Sequence, residues 1–152
     1  MMPLAMSLHV LSAVVWVGGM FFAYLALRPA AAAVLDPPPR LTLWAQTFAR
    51  FFPWVWAVVI LLPVTGLWMV AQMGGFPSVG PNIRLMAILA VIMIAIFLHI
   101  FFAPYRRLRR CVEAADWPAG GKALAQIRRL VAVNLLLGLV TVAVASGGEA
   151  WH

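Results

Sequence analysis

Two imidazoles sit inside long apolar stretches, His9 in "SLHVLSAVVWVGGMFF" and His99 in "AIFLHIFF". A polar ring at such a depth is costly in lipid unless it is used, so each marks either a hydrogen bond between helices or a ligand. Six of the eight methionines, Met1, Met2, Met6, Met69, Met73 and Met86, fall at the same ends of their apolar runs as His9, and Glu149 and His152 close the chain on that side. Thioether and imidazole donors together favour Cu(I), so His9, Met6, Met69, Met73 and Met86 form one candidate metal set, with His99 as a deeper candidate. A His/Met pair also suits a haem iron. In that case His9 is the axial ligand, Trp16, Phe22 and Trp68 are candidate walls, and Arg84 is placed to pair with propionates or to anchor the chain at the interface. Along the bundle the two histidines differ by about ten residues of helix, roughly 15 Å, so they cannot hold one iron between them. Asn134 lies at a depth similar to that of His99 and is its expected hydrogen-bond partner.

The elements that position these residues follow from composition. With 65% hydrophobic and 10% charged positions over 152 residues, and a mean hydropathy of +1.00, the chain is too apolar for a soluble domain. Crossing a bilayer takes roughly 20 mostly apolar residues, and four runs qualify: 4–27, 53–73, 85–103 and 130–146. The first run has no Lys or Arg ahead of it and at roughly 24 residues exceeds a signal-peptide core of about 7–15, so it reads as a retained helix. The expected fold is all-α, a single integral membrane four-helix bundle over residues 1–152.

Ten of the eleven basic residues lie in the segments 28–52 and 104–129, and only Arg84 lies between the second and third runs. The positive-inside rule makes those two segments cytoplasmic and both termini periplasmic. "YRRLRR" then contacts anionic lipid headgroups, and the net charge of +7 carries no nucleic-acid role. Cys111 is single, so no disulfide forms within the chain.

Along the chain, "RPAAAAVLDPPPR" reads as a turn-rich loop because of its four prolines. Leu41, Trp44, Phe48, Phe51 and Phe52 read as a short helix in the headgroup region, with Pro53 in the first turn of the second span. The third span is expected to run on as helix through "YRRLRRCVEAA", and Asp116 to cap the helix that follows. The short "GGFPSVGPN" turn makes spans two and three antiparallel neighbours. Gly18, Gly19, Ala23, Gly66, Gly138 and Ala145 are positions where backbones can approach, and Pro63 is expected to kink the second span toward Thr65 and Gly66.

These features resemble the copper-resistance protein D (CopD) family, in its short stand-alone form. The likeness is carried by "LHVLSAVVWVGGMFF", "ARFF", Thr65–Gly66, "FAPYRRL" and "IRRLVAVNLLLGLVTVAV". The family pattern places a Lys near the start of the third span and a Glu in the fourth, where this chain has Leu85, Met86 and Asn134. The resemblance implies a multi-pass protein of the bacterial inner membrane that binds or transports copper. A second, shorter likeness joins His9, Trp16 and Gly19 to the first helix of HemJ-type haem proteins, and implies haem b as the alternative cofactor. Four spans are few to enclose a pathway, which makes a homodimer the natural transporting form; a structural or assembly subunit is the remaining alternative. No hydrolase, kinase or nucleotide-binding signature is present, and all four carboxylates fall outside the apolar runs.

Overall fold

The computed structural model describes residues 1–148; Glu149 and His152 lie outside the described residues. Helix α1 (Met2–Phe22) passes through one π-helical turn (Ala23–Leu27) into α2 (Arg28–Val34). It is followed by α3 (Pro37–Gln72), a 3₁₀ turn (Phe76–Ser78), α4 (Pro81–Phe102), α5 (Pro104–Glu113) and α6 (Trp117–Gly147). Four helical runs, Met2–Val34, Pro37–Gln72, Pro81–Glu113 and Trp117–Gly147, are long and apolar enough to cross a membrane. The chain is therefore an all-α, multi-pass membrane protein.

The proline-rich segment is helical rather than a loop, with only Leu35 and Asp36 breaking it. Pro29 is the second residue after the π turn, whose wider hydrogen-bond spacing makes room for a residue that cannot donate. Pro37, Pro38 and Pro39 occupy the first turn of α3, where a missing N–H costs nothing because no partner waits for it. Pro53 and Pro63 both lie within the continuous α3. The expected headgroup helix is thus part of the first half of α3. Its stripe of Leu41, Trp44, Phe48 and Phe52 is buried, at most 6% exposed, because it finds aromatic partners instead of lipid. Phe52 meets Tyr105 at 4.8 Å and Phe97 at 5.5 Å between ring centroids.

Side-chain bulk decides which helices approach. Helix α1 packs chiefly on α3, and α4 on α6, whereas the backbones of α3 and α4 stay apart despite the short turn joining them. Rings hold those two apart: Trp56 lies 5.4 Å from Phe97 and 5.3 Å from Phe101. Close approach occurs at small residues. A Cβ at Gly19 would collide with the Phe51 ring, and one at Gly138 would stand 2.9 Å from Val17 Cγ2 and 3.2 Å from Met93 Cε. Gly18, by contrast, has nothing within 4 Å of its Cβ position, and Ala145 is exposed. The α3–α4 turn needs glycine at Gly74 and Gly75, where φ is +95° and +87°. At the other end of the bundle Asp116 caps α6 as expected, accepting from Ala119 N at 3.3 Å.

Candidate metal centre

The candidate site is built where α1 crosses α3. His9 lies two turns into α1 on the face that also carries the buried Ser12, Trp16 and Met20, so it looks across at α3. There its Nδ1 lies 2.8 Å from Thr65 Oγ1. The Thr65 hydroxyl has one proton, and it points to its own helix, to Leu61 O at 2.6 Å with Leu62 O at 3.2 Å. The hydroxyl therefore accepts from the ring: His9 Nδ1–H donates to Thr65 Oγ1. With the Thr65 proton on Leu61 O, the ring carries its hydrogen on Nδ1 and the Nε2 lone pair is left for a ligand. Gly66 completes the seat, since a Cβ there would stand 3.2 Å from His9 Cε1. The two residues of the Thr-Gly pair thus divide the work between holding the ring and clearing space for it.

Thioether placement sorts the methionines. Met69 is buried at 7% exposure and follows Thr65 by four residues, which puts it one turn toward the chain's N-terminal end on the face that meets α1. Met6 and Met73 are half exposed, at 50% and 44%, and Met86 is partly buried. Among the described residues no three His, Cys, Asp or Glu side chains converge as a metal-binding group.

The expected pairing of His99 with Asn134 is not formed. His99 is exposed on the bundle surface, while Asn134 is 1% exposed and donates from Nδ2 to Met93 O at 3.3 Å. Asn134 Oδ1 is buried without a hydrogen-bond partner. Depth along a helix follows from counting residues, but the direction each side chain faces depends on how the helices are rotated, and α4 turns Met93, Phe97 and Ile100 inward instead.

The residues named for a porphyrin are dispersed. Trp16 is buried, with its edge toward Phe97 at 6.5 Å, whereas Trp68 is 37% and Phe22 62% exposed. Arg84 donates from Nε to Phe76 O at 3.1 Å and from Nη2 to Pro77 O at 3.2 Å, so its guanidinium braces the α3–α4 turn. Sequence reasoning missed the role of Thr65 as the acceptor for His9; its signal was the hydroxyl beside a glycine in an otherwise apolar helix.

No curated protein and no solved structure matches the chain. The family model for copper resistance protein D does match, over residues 45–147. That region holds Thr65, Gly66, Met69 and Asn134 but stops short of His9, which joins it through the α1–α3 contact. Covering about two thirds of the sequence, the match shows that this chain belongs to the CopD family of copper-resistance membrane proteins.

Proposed function

We propose that the chain binds Cu(I) at the end of the bundle that carries its N terminus and hands it inward across the bacterial inner membrane. His9 Nε2 supplies the nitrogen and the buried Met69 a thioether, with Met6, Met73 and Met86 as capture ligands. The observation that supports this reading best is the His9–Thr65 bond at 2.8 Å, which holds the imidazole through Nδ1 and so orients the ring. A ligand histidine is ordinarily held in this way through its other ring nitrogen. The family's link to copper resistance, with the methionines gathered at the same end of the bundle as His9, favours copper among the metals that imidazole accepts. The arginine-rich end faces the cytoplasm on this reading, and a homodimer provides a pathway between subunits.

Anaerobic titration of the detergent-purified protein with Cu(I), against a competing chelator, tests the proposal. His9→Ala should weaken binding by two orders of magnitude or more and Met69→Leu by about tenfold, in keeping with the loss of a metal ligand and its neighbour. His99→Leu should leave binding unchanged. Equal affinity in His9→Ala and the parent overturns the proposal. An iron-porphyrin absorption spectrum that disappears in His9→Ala would replace it with the haem reading.

A further inference from the structure

At the arginine-rich end, away from His9, the π turn, α2, α3 and α6 enclose an open-sided cavity of about 550 Å³. Its floor is apolar, formed by Leu41, Trp44, Phe48 and Ile127, all buried. Arg28, Arg40 and Arg128 line it as well, and no Asp or Glu does. Arg28 is half-buried, donates from Nε to Tyr24 O at 3.2 Å and lies 4.5 Å from the Tyr24 ring centroid. Three cations over an apolar floor with no carboxylate in the wall call for an anion carrying a hydrophobic part.

Depth identifies the source of that anion. The run Met2–Val34 has 33 residues, about 50 Å of helix, against a hydrocarbon core of about 30 Å. The cavity takes residues of this run only from Ala23 onward and residues of α3 only from Pro37 to Phe48, so it lies at the level of the headgroups. Tyr24, Trp44 and Trp117 in its wall are the residue types that favour this layer. We propose that the cavity is a specific site for one anionic phospholipid: its phosphate sits among Arg28, Arg40 and Arg128, and the upper part of an acyl chain lies on Trp44 and Phe48. This site goes beyond the copper reading and does not depend on it.

The full chain, reconstituted in nanodiscs of phosphatidylcholine with increasing phosphatidylglycerol and analysed by native mass spectrometry, tests the proposal. The parent should retain one phosphatidylglycerol against excess phosphatidylcholine. Arg28→Gln, Arg40→Gln and Arg128→Gln combined should weaken that retention roughly 100-fold, given the usual contribution of each basic residue at a membrane surface. Arg106→Gln, Arg109→Gln and Arg110→Gln combined remove the same charge outside the cavity and should leave it unchanged. Gly121 lines the cavity with nothing within 4 Å of its Cβ position. Gly121→Phe therefore fills the space without a clash at its root and should expel the lipid with every arginine intact. Equal loss in the two arginine triples would reduce the effect to diffuse surface charge and overturn the proposal. So would retention in Gly121→Phe, displacement of the lipid by millimolar inorganic phosphate, or a parent dimer that Gly121→Phe dissociates.

Discussion

In the α1–α3 pair the polar group entering the bundle, His9, finds a hydroxyl at 2.8 Å and a glycine that gives it room. In the α4–α6 pair Asn134 finds only the Met93 carbonyl at 3.3 Å, and its own oxygen has no partner. The first arrangement spends one nitrogen to aim the other; the second buries an acceptor and aims nothing. A polar residue in an apolar bundle is thus informative through what its partners leave unspent, rather than through burial alone. On the copper proposal, that measure makes the α1–α3 pair the functional seam and the α4–α6 pair the structural one.

Substitutions that disturb the seat rather than the ligand break this contrast most sharply. Gly66→Leu drives a side chain into space that the His9 ring occupies, so Cu(I) affinity should fall about 100-fold; overpacking should also cost about 1–3 kcal/mol, read from thermal unfolding in detergent. Parent-like affinity in that variant would mean that the ring is not held where it binds metal. Thr65→Val removes only the acceptor. Binding should weaken about tenfold and stability by about 1 kcal/mol, with Thr65→Ser restoring both. The smallest effect belongs to the other pair. Asn134→Leu exchanges one weak bond and one unpaired acceptor for an apolar side chain, so stability should stay within about 1 kcal/mol of the parent and copper affinity should not change. A loss of copper affinity in Asn134→Leu would erase the distinction between the two pairs.

What the sequence made legible was whatever depends on position along the chain. The four apolar runs, the one-sided placement of arginine and the Asp116 cap all follow from local order, and the spans and the cap reappear in the fold. The prolines misled because their cost depends on whether an N–H is needed: at Pro37, Pro38 and Pro39 none is, so the segment is helical. His99 misled because depth says nothing about rotation around the helix axis. His9 was legible as a polar group at membrane depth, but its partner Thr65 lies 56 residues away, and only the packing of α1 on α3 brings the two together.

The π turn at Ala23–Leu27 separates the two ends of the first helical run in a further way. A π turn takes up more residues than an α turn, and one residue corresponds to about 100° of rotation around a helix. The face carrying His9 and the face carrying Arg28 are therefore indexed independently, with the slack between them absorbed in a single coil of backbone. Shortening that coil by one residue would swing the guanidinium by about a quarter turn while the imidazole kept its heading, so each end of the rod can be retuned without disturbing the other.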